Sequence, residues 1–193
     1  MDRELFCKSL VTFAEQFLDK QPYHVDRDNI SQYTSLSHVR DVYNRYEMVL
    51  APIRGSVIDV GSGVGFAKNI LPSIHTANLP GDFFIQAEKA LGVRCDFLCI
   101  NCKYSSKWIH TPHLYDYVIL NRFMPWNDQQ LTPEVERNIF TGTYNILKDS
   151  GTLLYIPLNI KYFDNKPWKR VNSSILVITK AQIHNELYPA PAD

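Results

Sequence analysis

The sequence lacks any uninterrupted apolar stretch approaching the roughly 20 residues of a membrane-spanning helix. Its N-terminus, Met1 to Lys20, sets Asp2, Arg3, Glu4, Lys8 and Glu15 among apolar residues. The apolar core and small-residue cleavage site of a secretory leader are therefore missing. Both absences lead us to expect a cytoplasmic protein with no membrane partner. An excess of charge of either sign is also lacking, with 20 basic and 20 acidic residues. Proteins that grip phosphate backbones usually carry a basic excess, so nucleic acid is not the default partner. Cysteine is scarce, at four residues: Cys7, Cys95, Cys99 and Cys102. In a reducing compartment these are expected as thiols. The last three have C-x3-C-x2-C spacing, which invites a metal reading. However, 93–100 reads as a strand, placing Cys95 and Cys99 on one buried face as small hydrophobes, and we expect no metal. Repeats, low-complexity tracts and long linkers are absent from the 193 residues, and 45% of them are hydrophobic. One globular domain over 1–193 is the expectation.

What is present is a change of periodicity along the chain. Up to residue 52 the pattern is helical. Asp2 can cap a helix to about Asp19 with Phe6, Leu10, Phe13 and Phe17 on one face. Ser35 or Ser37 can cap a second helix to about Leu50, facing inward with Val39, Val42, Tyr46 and Val49. The polar stretch 23–34 between them reads as irregular. After Pro52 and Gly55, strands and helices alternate. Strands are expected at 56–60, 74–79, 93–100, 117–120, 152–156 and 174–179. Helices are expected at 66–71, 81–91 and 133–147. The last has Thr132 as cap, Pro133 in its first turn and Glu134 and Glu136 against the dipole. We read Gly151 as ending it. The alternation predicts an α/β fold with a doubly wound, mostly parallel sheet. We divide the domain into a helical cap (1–52), a Rossmann-like core (53–180) and a tail (181–193). In such sheets ligands sit beyond the carboxyl ends of the strands.

The stretch VIDVGSGVGF, residues 57–66, lies where a strand should turn into a helix. Gly61 and Gly63 allow a tight turn with backbone close to a ligand, and Gly65 lets helix and strand approach. A dinucleotide fingerprint would read G-x-G-x-x-G. Here the third glycine comes one residue early, and Phe66 takes the sixth position. With Asp59 two residues before the first glycine, this stretch resembles motif I of the class I S-adenosylmethionine (SAM)-dependent methyltransferases. The resemblance implies SAM as cofactor and S-adenosylhomocysteine as product. SAM has no pyrophosphate to cradle. It has a methionine tail whose ammonium suits an acidic residue at the strand end. Asp59, Gly61, Ser62, Gly63 and Gly65 are then implied in cofactor binding.

The resemblance runs from about Gly55 to Thr179. Asn78-Leu79-Pro80 matches the family's ribose segment except that its acid is an amide here. An amide offers one acceptor where a carboxylate offers charge-assisted bonds to two hydroxyls. The stretch VRCDFLCINC resembles the strand that ends in an acidic residue contacting adenine. Here that end is Asn101, followed by Cys102. The stretch YDYVILNRFMPW resembles motif IV and implies Asn121, Arg122 and Phe123 beside the methyl-donor site. LKDSGTLLYIP resembles the family's helix end and fifth strand. The implied seven-stranded-type sheet carries an N-terminal helical cap, on which Tyr33, Tyr43 and Tyr46 are candidates for ligand contact.

A methyl transferred from a sulfonium needs an acceptor held in line, and a base is optional. His38, His110 and His113 are candidate bases, the last two placed near the ligand edge. No catalytic residue is singled out. The expected substrate is a small molecule, methylated on nitrogen or oxygen, and a homodimer is compatible with it. IKYFDNKPWKR, residues 160–170, mixes basic and aromatic residues as RNA-binding surfaces do, and equally as a substrate lid would. Two other readings stand beside methyl transfer. Asn78 and Asn101 suit a methyltransferase-like partner subunit without catalysis. Aminopropyl transfer would need extra acids near motif IV, where only Asp128 occurs.

Overall fold

The computed structural model describes residues 1–20, 27–78, 81–100, 102, 104–121, 132–157, 163–171 and 175–189. The helices are α1 (Arg3–Lys20), α2 (Arg27–Ser31), α3 (Leu36–Leu50), α4 (Phe66–Ile70), α5 (Asp82–Leu91), α6 (Pro133–Ile146) and α7 (Lys180–Leu187). The strands are β1 (Val57–Val60), β2 (His75–Asn78), β3 (Phe97–Leu98), β4 (Tyr115–Asn121), β5 (Leu147–Ile156), β6 (Lys169–Arg170) and β7 (Leu176–Thr179). They form one sheet in the order β3-β2-β1-β4-β5-β7-β6. The order runs outward from β1 in both directions, as a doubly wound sheet requires. β1 pairs in parallel with β2 and β4, and β4 with β5, while β7 runs antiparallel to β5 and β6. The mostly parallel α/β fold read from the sequence is thus present. None of the described helices is long and apolar enough to cross a membrane.

By contacts the chain forms two compact units, each discontinuous in sequence. One comprises Met1–Ile53, Ser62–Ile74 and Pro80–Cys95, and the other Arg54–Gly61, His75–Leu79 and Asp96–Asp193. The first is helical. The Asp2 carboxylate caps α1 by accepting from the backbone N–H groups of Glu4 and Leu5, at 3.0 and 3.2 Å. Phe6, Leu10 and Phe17 are buried, while Phe13 is half-buried against Phe17 and Phe83. Ser35 caps α3. Its buried face is Val39, Tyr43, Tyr46, Val49 and Leu50, so Tyr43 replaces the expected Val42. The stretch expected to be irregular holds α2 and a 3-10 turn, Gln32–Thr34. Polar side chains build it locally. The hydroxyls of Ser31 and Thr34 and the amide of Gln32 donate to the carbonyls of Asp28, Ser31 and Asn29, each at 2.7 Å. Bonds of this kind leave no hydrophobic period to read.

The second unit carries the sheet. Ile58, Val60, Val118, Leu120, Leu153, Tyr155, Leu176 and Ile178 from the strands meet Val135, Ile139, Phe140 and Ile146 of α6 and Ile183 and Leu187 of α7. Each such aliphatic side chain contributes about 1.5–3 kcal/mol by leaving water. Trp108 lies wholly buried here, its indole N–H donating to the Asn138 carbonyl of α6 at 2.9 Å.

Four further expectations are corrected. The strand placed at 93–100 shrinks to β3. Gly92, left-handed at φ 65°, caps α5, and Val93 and Cys95 still bond back to Glu88 through their N–H groups. Cys95 therefore precedes the strand and is half-buried, whereas Cys99 is buried, and all four cysteines are thiols. Gly151 does not end α6. Leu147 is already extended, and Gly151 sits inside β5, where a Cβ would come within 2.8 Å of the Lys148 carbonyl and 3.0 Å of that of Tyr115. The two-residue β6 had no sequence counterpart. The segment read as the start of a tail is α7, closed at its N-terminus by a capping box between Thr179 and Gln182.

Asp116 ties β4 to the entry of β1. One of its carboxylate oxygens accepts from the Ser56 N–H at 2.7 Å, the Ser56 hydroxyl at 2.8 Å and the Lys148 ammonium at 2.9 Å. Gly55, at φ 120°, leaves that oxygen room, since a Cβ there would stand 2.6 Å from it. The Lys148 bond, followed by the two from Ser56, holds the carboxyl down at about 2. A carboxyl with a depressed folded-state pKa contributes stability above its unfolded value of about 3.9 and loses it as pH falls towards 2. Urea midpoints should therefore drop between pH 5 and pH 2.5 by more in the native protein than in Asp116→Asn. Parallel profiles would remove Asp116 as a source of acid sensitivity.

Candidate functional site at the carboxyl edge of the sheet

The register of the parallel strands decides which residues end together. Val60 is level with Ala77 and Leu120, and the Gly61 N–H donates to the Ala77 carbonyl at 2.8 Å. Asn78 is level with Leu98, and Asn121 with Ile156. Gly61, Asn78 and Asn121 therefore stand together at the carboxyl edge. Two positions earlier on β1, Asp59 is level with Thr76 and Ile119. By the alternation of a strand, Asp59 and Gly61 share a face, as do Thr76 and Asn78.

Five polar side chains are buried among the described residues: Asp59, Ser62, Thr76, Asn78 and Thr143. Four of the five come from the end of β1, the turn after it, and β2. Asp59 is 0% exposed and Asn78 5%. Buried polar groups are costly to fold unless they are paired, and here they concentrate at the ends of β1 and β2. Thr76 was not singled out in the sequence, although its spacing of two from Asn78 could have found it. Its N–H donates to the Asp96 carboxylate at 2.8 Å.

The turn itself is set by its glycines. Gly61, Gly63 and Gly65 have φ of 73°, 59° and 84°, values that side chains other than glycine's resist. The Gly65 N–H closes the turn on the Ser62 carbonyl at 3.1 Å. At Gly65 a Cβ would stand 2.7 Å from Val93 Cγ2, so close approach is demanded as well. Gly63 differs. A Cβ there would find only the Tyr33 hydroxyl at 3.7 Å and Phe84 Cε1 at 3.9 Å. The Ser62 hydroxyl is buried and has no hydrogen-bond partner among the described residues.

Other sequence candidates separate clearly. Tyr33 stacks on Phe83 and faces the glycine turn. Tyr43 and Tyr46 instead pack on Phe66, and burial raises the Tyr43 phenol although its oxygen accepts from Asn69 at 2.9 Å. His38 is half-buried in the first turn of α3. His113 was placed near the ligand edge, and this is corrected. It lies two residues before β4 and packs on His75, at the amino ends of the strands. His110 is exposed beside Ile109, which bridges to Cys99. Cys102 is buried within the apolar cluster that holds Trp108. Leu79, Asn101, Arg122 and Phe123 lie outside the described residues, as does 158–162 at the start of the basic-aromatic stretch. Glu136, in the first turn of α6, is a carboxyl that burial raises above its ordinary value.

No family model and no curated protein sequence matches the chain. Solved structures do. Streptomyces venezuelae DesVI aligns over 70% of this chain and 58% of its own, at 15% identity and a TM-score of 0.52. The chain has the fold of the class I methyltransferases. TrmN from Thermus thermophilus aligns over 70% of this chain and 46% of its own, at 13% identity and a TM-score of 0.49. The SAM-bound amino pentose methyltransferase CalS10 from Micromonospora echinaspora aligns over 62% and 49%, at 21% identity and a TM-score of 0.43. The chain thus spans about half the length of these proteins. In this methyltransferase fold the edge formed by Gly61, Asn78 and Asn121 is where ligands of doubly wound sheets bind.

Proposed function

We propose that the chain binds SAM and transfers its methyl group to a small-molecule acceptor, on nitrogen or oxygen. One observation carries the reading. A turn with three positive-φ glycines follows a strand whose penultimate residue is a wholly buried carboxylate, and the turn holds a buried serine hydroxyl with no partner among the described residues. These residues fit the cofactor. An ammonium suits Asp59, backbone N–H groups and the Ser62 hydroxyl suit a carboxylate tail, and Gly63 keeps its open side bare. Asn78, with Leu79, would serve the ribose, Asn101 and Cys102 the adenine side, and Asn121 with Arg122 the reacting end. SAM when bound supplies an electrophilic methyl group on a sulfonium. What the protein adds is orientation and exclusion of water, for which a dedicated base is not required.

Calorimetric titration with S-adenosylhomocysteine tests this, with NAD as control. Micromolar binding is expected. Asp59→Asn, which keeps the shape and removes the charge, should weaken it by about 2 kcal/mol, or about thirtyfold in Kd. Asp59→Ala should abolish it. Absence of binding at millimolar ligand would refute the proposal. It would favour a partner subunit without catalysis, the reading that the buried amide of Asn78 supports in place of an acid.

A further inference from the structure

At the opposite ends of the strands, the start of β2 and the approach to β4 bring two imidazoles together. The rings of His75 and His113 have centroids 5.3 Å apart. His75 Nδ1 is 2.8 Å from the Tyr115 hydroxyl, which is 3.1 Å from Thr111 Oγ1. Thr111 Oγ1 also accepts from the His113 backbone N–H at 3.2 Å. Tyr115 is 1% exposed, so its hydroxyl is a fixed point. His75 is half-buried and held edge-on against Phe97, whereas His113 is exposed. The Asp96 carboxylate, bound to the Thr76 N–H, lies close enough for its charge to act on Tyr115. Nothing in the proposed methyl transfer uses this cluster.

The spacing has a chemical meaning. A metal about 2.1 Å from an imidazole nitrogen lies roughly 3.2 Å from the ring centre, so two rings at a tetrahedral angle stand about 5.2 Å apart. The observed separation meets that value. When His75 Nδ1–H donates to the tyrosine oxygen and Tyr115 donates to Thr111, the lone pair of the His75 ring rests on Nε2. This is the second-sphere arrangement that orients metal-binding histidines. The negative charge of Asp96 favours a cation.

The geometry points to a site for a borderline divalent transition metal, of the Zn2+ or Ni2+ class, held by His75 Nε2 and His113. Among the described residues no group of three or more His, Cys, Asp or Glu side chains could hold a metal, so the protein supplies two ligands here and water fills the other positions. Imidazole suits these ions. The exposed His113 gives them entry from solvent.

Calorimetry with Ni2+ on untagged protein at pH 7.5 tests the site independently of SAM. Saturable one-site binding in the micromolar range is expected. His113→Ala, at an exposed position, should keep the circular dichroism of the native protein and weaken binding by more than about tenfold. His75→Ala should do the same. Cys95→Ser, removing the half-exposed thiol, should change nothing. No saturable binding at millimolar Ni2+, unchanged affinity in His113→Ala, or loss in Cys95→Ser would each overturn the assignment.

Discussion

Replacing Gly142 by Ala is expected to lower the melting temperature by about 6–12 °C, corresponding to a loss of about 3 kcal/mol in a chain of this length. Helix propensity alone predicts the reverse, since Ala in a helix interior is favoured over Gly by about 1 kcal/mol. The tertiary structure decides otherwise. A Cβ at Gly142 would stand 2.1 Å from the Trp108 indole nitrogen and 2.5 Å from Cε2. The indole cannot step aside cheaply, because it is wholly buried and donates to the Asn138 carbonyl one turn back on the same helix. Overpacking costs about 1–3 kcal/mol and more where the neighbour is pinned. The same substitution in a Trp108→Phe background should cost much less, because the overlapping ring is gone. Calorimetric melting of the four proteins reads both terms. A Gly142→Ala protein as stable as the parent would refute the packing argument.

Gly65→Ala is expected to cost a similar amount, about 3 kcal/mol, from two separable sources. The left-handed φ of 84° penalises a side chain by about 1–2 kcal/mol. The overlap with Val93 Cγ2 adds about 1–3 kcal/mol. Val93 is β-branched and buried, so rotation does not relieve the contact. Urea unfolding of Gly65→Ala, Val93→Ala and the double variant separates them. The double variant should recover the overlap and retain the φ penalty, giving a favourable coupling of about 1 kcal/mol or more. Strict additivity would show that Val93 yields without cost. The glycine that completes the turn is thus required first by the fold, whereas a Cβ at Gly63 would meet nothing nearer than 3.7 Å.

That distinction could not be read from the motif. The glycine spacing, the Asp59 carboxylate and the strand before them are local features, and periodicity with end signals located β1, α4, α5 and α6. Which glycine is crowded and which is open depends on Val93 and Tyr33, 28 and 30 residues away. The 93–100 run failed because apolar content continues through a stretch whose N–H groups still belong to the cap of α5. Helix α2 is built from side-chain-to-backbone bonds that a hydrophobic pattern does not register. Helix α7 was legible and missed. Thr179, Gln182, Ile183 and Leu187 spell a capping box and an apolar face. His113 was assigned to the wrong end of the sheet because any residue just before a parallel strand belongs at its amino edge, whatever its chemistry.

The sheet is bounded by its two shortest members. β6 is Lys169–Arg170, both exposed and cationic, and β3 is only Phe97–Leu98, after which Cys99 bridges back to Ile109. A long, flat outer strand would offer another copy of the chain a row of amides on which to grow a fibril. Here either border ends too soon for that, and one of them repels its own image. The buried apolar runs Val118–Leu120 and Leu153–Ile156 lie in interior strands of the sheet. The native protein therefore hides these apolar strands from other copies, and they become adhesive only once the sheet comes apart.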